Sequence, residues 1–296
     1  MLSLSLTGKI LLIIGSLIVI AYLGITVGLW LGQSRLIFVP SRQLESTPEA
    51  MGLAYEAVWL PVLGTNGKVE QLSGWWLPNT NSHQVLLYLH GNGSNISGNL
   101  GRASRYHRLG FSVLLLDYRG YGLSQGEFPN EARVYQDSQA AWHYLVHQRH
   151  CTPQQIFIYG HSLGGAIAID LAIHQPQAAG VIVESSFTSI RAIVDNHPWY
   201  RIFPIDWLLH QQFDSLSKLP ALKIPLLLIH GEQDQTIPVG MSQTLYQAAT
   251  VPKQILLVPE ADHNNVSALG DRRYDQAIEH FVRLVRQHQT HLLSLP

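Results

Sequence analysis

The 296-residue chain is 46% apolar, and only 13% of its residues are charged, about half the ~25% of an ordinary soluble protein. That balance excludes intrinsic disorder, and a net charge of -1 offers no basic footprint for nucleic acid. A single cysteine, Cys151, excludes an internal disulfide framework and any cysteine-built zinc or iron–sulfur site.

Residues 10–31 contain no Asp, Glu, Lys, Arg, His, Asn or Gln. At 1.5 Å per residue a helix of that length covers about 33 Å, enough for a hydrocarbon core of ~30 Å. A cleaved signal peptide is the rival reading, but its apolar region is usually only ~7–15 residues and ends at a small-residue site, which is missing here. The run instead exits through Trp30, Gln33 and Arg35, an aromatic and basic border that suits a retained single-pass membrane anchor over residues 1–35. Lys9 on one side and Arg35 and Arg42 on the other nearly balance, which leaves the orientation open. Gly24, Gly28 and Gly32 form a small-residue spacing that is also ordinary glycine use in membrane helices.

The remaining residues, 36–296, suit one α/β domain. Strand-like runs at 55–60 and 69–77 flank Gly64-Thr65-Asn66-Gly67, a hairpin signal. Short, wholly apolar runs follow at 85–89, 113–116, 156–159, 181–183, 226–229 and 255–258. Strands apolar on both faces belong in a sheet covered on both sides. Helical stretches at 130–149, 163–175, 239–249 and 273–289 alternate with them, which predicts a mostly parallel sheet with an antiparallel start. One interval, 185–225, is longer than a crossover needs and predicts a small cap within about 186–222. Its Trp199, Tyr200, Ile202, Phe203, Trp207, Leu208 and Leu209 suggest an apolar wall for a lipophilic group, or plain packing of the cap onto the sheet.

The sharpest chemical signal is Gly160-His161-Ser162-Leu163-Gly164-Gly165, between a strand and a helix. A G-x-S-x-G turn in that context exposes a serine hydroxyl as a nucleophile. Such a hydroxyl needs a base, and the order Ser, acid, His directs attention to Asp234 and His263, each in a loop after a strand. Glu232 and Glu184 are acidic rivals, while His90, His161 and His230 are awkwardly located for a base and read as structural. Backbone N–H groups of Leu163 and Asn92 are the candidate oxyanion donors, Asn92 by its position alone. The loop around Gly91 and Gly93 lacks the spacing of a nucleotide-phosphate cradle. His143 and His147 are spaced as a helical pair without a third metal ligand.

Together these residues resemble the α/β-hydrolase superfamily over residues 53–290. Asp117-Tyr118-Arg119-Gly120-Tyr121-Gly122 is similar to that superfamily's loop after its fourth strand. The apolar start, His90-Gly91-Asn92-Gly93, the serine motif and Glu184-Ser185-Ser186-Phe187-Thr188 resemble a membrane-linked branch related to the fungal protein Bem46, near depalmitoylating and serine aminopeptidase-like hydrolases. The resemblance implies the α/β-hydrolase fold and a cofactor-free Ser–His–Asp hydrolase acting on an ester, thioester or amide of a small-molecule or acylated substrate, tied to a lipid bilayer. A non-catalytic binding protein on the same frame is the alternative, and intact Ser162, Asp234 and His263 weigh against it.

Overall fold

A computed structural model describes residues 5–65, 67–80 and 83–293. Helix α1, Leu6–Ile37, starts at Ser5, whose side chain accepts from the Gly8 N–H, and overruns the expected span at both ends. It stops where Phe38 turns to extended backbone and enters the core, edge-on to Phe213 at 6.0 Å between ring centroids. One 18-residue window of α1 is apolar enough to cross a membrane, and none of it is buried within the molecule. Gly24, Gly28 and Gly32 all face open space.

Strands β1 (Glu56–Leu63) and β2 (Val69–Leu77) pair antiparallel, with Leu63 opposite Val69 as the hairpin signal predicts; Asn66 lies outside the described residues. Strand β3 (Val85–Leu89) leads into helix α2 (Leu100–Arg108), which the sequence reading did not anticipate. Its buried apolar residues are only three, Leu100, Ala103 and Tyr106, so no long aliphatic stripe announces it. Strand β4 (Ser112–Leu116), helix α3 (Glu131–His143) and strand β5 (Ile156–His161) follow. The last turn of α3 widens to π over Tyr144–Gln148, which accounts for the longer helix expected there.

The order continues through α4 (Leu163–His174), β6 (Gly180–Glu184), the cap with α5 (Ile190–Asp195) and α6 (Ile205–Leu208), α7 (Ser215–Lys218), β7 (Leu226–Gly231), α8 (Gly240–Ala248), β8 (Lys253–Val258) and α9 (Val266–Leu293). The eight strands lie in the order β1-β2-β4-β3-β5-β6-β7-β8, with β3 to β8 mutually parallel and β2 antiparallel to its neighbours. Helix α9 breaks at Asp271, just before the periodic stretch that begins at Arg273.

Alternation along the buried strands builds two cores. Leu87, Leu114, Ile158, Val183 and Leu228 pack with residues of α3, α4 and α8 on one face. Leu86, Leu115, Tyr159, Ile182 and Leu227 pack with α2 and α9 on the other. Full burial of β3 to β7 on both faces makes the centre of the sheet a rigid platform, and in parallel sheets the loops beyond the carboxyl ends of the strands carry the chemistry.

Candidate active site

Ser162 sits between β5 and α4 at φ 54° and ψ -120°, in the left-handed region that a residue with a Cβ normally avoids. The strain holds because two glycines allow the chain to fold this tightly. A Cβ on Gly160 would run into the Gly164 carbonyl, and one on Gly164 would collide with the carbonyls of Leu89 and His90. The hydroxyl is thereby presented at the end of the sheet rather than tucked into the helix.

The loops after β7 and β8 bring the other two residues to it. His263 Nε2 stands 3.0 Å from Ser162 Oγ, and its Nδ1 stands 2.7 Å from Asp234 Oδ2. Asp234 Oδ1 accepts the N–H groups of Thr236 and Ile237, both at 2.8 Å. Burial favours the neutral acid, but hydrogen bonds from His230, His263 and the Ile237 N–H outweigh it and hold the carboxyl well below the ordinary aspartate range. The carboxylate is therefore charged and oriented.

His230, structural by its place in the sequence, is a buried partner of Asp234. Its Nε2 lies 3.2 Å from Asp234 Oδ2 and 2.9 Å from the Ile237 carbonyl, while Ser242 Oγ meets Nδ1 at 2.7 Å. The i, i+4 spacing of His230 and Asp234 was the available signal. Glu184, the rival acid, is fully buried and has other partners. It accepts from Arg102 at 3.1 Å, Tyr159 at 2.9 Å and Tyr274 at 2.6 Å. Burial raises its pKa, and the Arg102 charge, His161 and the two tyrosines more than reverse that, so it stays below the ordinary glutamate value.

Arg102 and His161 then brace the backbone that carries His263. Arg102 donates to the Asn264 carbonyl at 2.7 Å, and His161 Nε2 lies 3.1 Å from the His263 carbonyl. Burial, followed by the Arg102 charge, pushes the His161 pKa down to about 3, so the ring is neutral and its Nε2–H is free to donate to that carbonyl. The sequence held no clue to Arg102, whose partners are 82 and 162 residues away.

Over the serine, Gly91 passes so close that a Cβ there would lie 3.3 Å from Ser162 Cβ. The next residue, Asn92, is bolted down on three sides. Its carbonyl accepts from Val39 N–H at 3.2 Å and Tyr121 hydroxyl at 2.8 Å, and its side-chain amide donates to Ile37 O at 2.8 Å. The Asn92 side chain thus has a defined task, tying this loop to the end of α1, which position alone did not reveal. Among the described residues, neither the Asn92 nor the Leu163 backbone N–H has a protein acceptor, as an oxyanion site would require.

A family model described as serine aminopeptidase, S33, matches residues 80–218. An uncharacterized protein of Mycobacterium tuberculosis is 34% identical over 88% of this chain and 90% of its own. The protein bem46 of Schizosaccharomyces pombe is 32% identical over 82% of this chain and 81% of its own. The chain belongs to the Bem46-like branch of the α/β-hydrolase superfamily. A solved esterase of Pyrococcus furiosus shares the fold at a TM-score of 0.68 and 20% identity, over 83% of this chain and 97% of that one.

Around the serine of this Bem46-like hydrolase lies a cavity of about 710 Å³. Its apolar walls come from the cap, through Ile190, Val194, Tyr200 and Leu208, and from α1, through Leu29 and Leu36. The cap was expected to supply a wall through its tryptophans as well. Trp199 and Trp207 instead point outward, 85% and 90% exposed, and α1 provides the surface they were expected to form. The His143 and His147 rings lie 5.8 Å apart, tilted by 60°, and among the described residues no group of three metal-ligating side chains gathers anywhere.

Proposed function

We propose that this hydrolase cleaves an ester, thioester or amide of a lipophilic substrate through an acyl-enzyme on Ser162, and that α1 holds it in a membrane as a single-pass protein. The carrying observation is the relay from Asp234 through His263 to Ser162, at 2.7 and 3.0 Å, ending on a hydroxyl held at a strained turn.

Each step follows from that geometry. The charged Asp234 keeps the proton on His263 Nδ1, which leaves the Nε2 lone pair facing Ser162. As Ser162 Oγ attacks the substrate carbonyl carbon, its proton passes to His263 Nε2. Negative charge develops on the carbonyl oxygen, where the Asn92 and Leu163 N–H groups can receive it. The tetrahedral intermediate collapses, the leaving group takes the proton from His263, and the acyl group stays on Ser162. Water, deprotonated by the same imidazole, then releases the acid and restores the serine. The serine aminopeptidase family model supports attack at a carbonyl carbon, and the apolar cavity supports a lipophilic acyl group.

A p-nitrophenyl ester series from acetate to decanoate tests the reading. Each accommodated methylene adds up to ~0.8 kcal/mol, so kcat/KM should rise by as much as about fourfold per methylene until the cavity is full. A preference for acetate removes the lipophilic site. Failure to hydrolyse any ester, thioester or amide removes the hydrolytic mechanism.

A further inference from the structure

The cap is fastened along α1 well inside the apolar stretch. The Tyr22 hydroxyl donates to the Ile202 carbonyl at 2.9 Å, and its ring stacks on Phe203 at 5.4 Å and 10°. Further along, Trp30 meets His210 edge-on at 5.9 Å. Gln33, buried, donates from Nε2 to the Leu208 carbonyl at 2.6 Å and accepts at Oε1 from the His210 and Gln211 N–H groups at 3.0 and 3.2 Å. From Tyr22 to Gln33 the helix rises about 17 Å, and the cap follows it over that whole distance.

This attachment conflicts with a bilayer that ends below the cap. Residues 6–21 of α1 rise only about 24 Å, short of the ~30 Å hydrocarbon core, and Lys9 shortens the apolar part further. A bilayer ending there would also leave Leu23, Ile25, Val27, Trp30 and Leu31 in water, each about half or more exposed. Covering them carries the cap into the same leaflet, because the two elements are pinned together. We propose that the cap over residues 198–209 is itself a lipid-contacting element, with Trp199, Ile202 and Trp207 set in the leaflet beside α1, and that the cavity fills with acyl chains from that leaflet.

The proposal rests on the reading of α1 as a spanning helix. The cap surface agrees with it. Trp199, Ile202 and Trp207, large apolar residues within nine positions of the cap, are 85%, 68% and 90% exposed. Tryptophan and tyrosine favour the membrane–water boundary. The charges at the cap are largely matched among themselves: Arg191 pairs with Asp195 at 3.1 Å and Asp206 at 2.6 Å, and Arg201 donates to the Asp195 carbonyl. The inner sides of the same two elements, through Leu29 and Leu36 of α1 and Ile205 and Leu208 of the cap, wall the cavity beside Ser162. A chain leaving the leaflet between them remains in apolar surroundings up to the nucleophile. The substrate class is thus an acyl chain resident in the bilayer, with its carbonyl near the headgroup level.

The test uses the full chain in phosphatidylcholine vesicles with Cys151→Ser, and a nitroxide attached at Trp207→Cys or, as a second site, Ile202→Cys. Trp59→Cys on the exposed face of β1 is the aqueous control. Labels in lipid collide with oxygen and are shielded from a water-soluble nickel chelate. Both cap labels should show that pattern and Trp59 the reverse; nickel access equal to that at Trp59 overturns the proposal. In parallel, Trp199→Ser with Trp207→Ser should lower turnover of a long-chain ester embedded in vesicles by about tenfold per tryptophan. Hydrolysis of soluble p-nitrophenyl butyrate should hold, because neither ring lines the cavity. Equal loss on both esters also overturns it. If the wild type hydrolyses neither ester, the hydrolytic reading fails, while the label depths still decide the position of the cap.

Discussion

Asp234→Asn isolates the acid with almost no change of shape. Oδ1 of the carboxylate accepts from Thr236 and Ile237 N–H groups, and an asparagine oxygen can keep both bonds. Its amide nitrogen must then replace Oδ2, which faces His263 Nδ1 at 2.7 Å and His230 Nε2 at 3.2 Å. Two donors cannot face each other, so His263 must carry its proton on Nε2 and accept at Nδ1. That tautomer points a hydrogen at Ser162 instead of a lone pair, and the base is lost. The same substitution costs a factor of about 10⁴ in serine proteases, equivalent to about 5.4 kcal/mol in the barrier, and a similar loss of kcat is expected here. His230 loses Oδ2 as an acceptor but retains the Ile237 carbonyl and Ser242, so the variant should fold with a lowered melting temperature. The assay is p-nitrophenyl ester turnover beside a thermal melt. A folded variant retaining kcat within about tenfold of wild type would refute the assignment of Asp234.

Gly164→Ala pushes a Cβ into the carbonyls of Leu89 and His90, backbone that cannot move aside, so a loss of about 3 kcal/mol or more in chemical denaturation is expected; a loss below about 1 kcal/mol contradicts the tight turn. Glu184→Gln leaves Arg102 without its buried counter-charge and should cost about 3–5 kcal/mol at neutral pH. The folded-state pKa of Glu184 lies below its reference value of 4.5, so its stabilisation is present above pH 4.5 and is lost as pH falls through the folded value. Melting temperature should therefore fall less steeply below pH 4.5 in Glu184→Gln than in wild type. Gln33→Leu strips partners from Leu208, His210 and Gln211, at about 1–3 kcal/mol per unsatisfied group, and hydrogen exchange at residues 210–211 should accelerate while the sheet stays protected.

The parts of the molecule legible in the sequence are those fixed by local patterns. The parallel strands stand out because burial on both faces leaves no polar position, and 85–89 coincides with β3 residue for residue. Ser162 stands out because its turn demands glycine at fixed offsets. The start of α9 was hidden by the break at Asp271, and α2 by its few buried apolar residues, Leu100, Ala103 and Tyr106. Contacts between distant segments left no local trace. Arg102 reaches Glu184 and Asn264 only in the folded chain, and Gln33 looks like the polar end of an anchor until the cap is seen to close around it. The outward turn of Trp207 was hidden for the same reason: an aromatic residue in a cap has the same sequence signature whether it lines a cavity or leaves it.

The most direct test of the central claim is the site of covalent labelling by a fluorophosphonate, read by mass spectrometry on the full chain in membranes. Ser162 activated by His263 attacks phosphorus as it attacks a carbonyl carbon, so the peptide containing Ser162 should carry the adduct. Labelling should vanish in Ser162→Ala and in His263→Ala. An adduct that persists in folded Ser162→Ala, or a folded wild type that never reacts, contradicts the account.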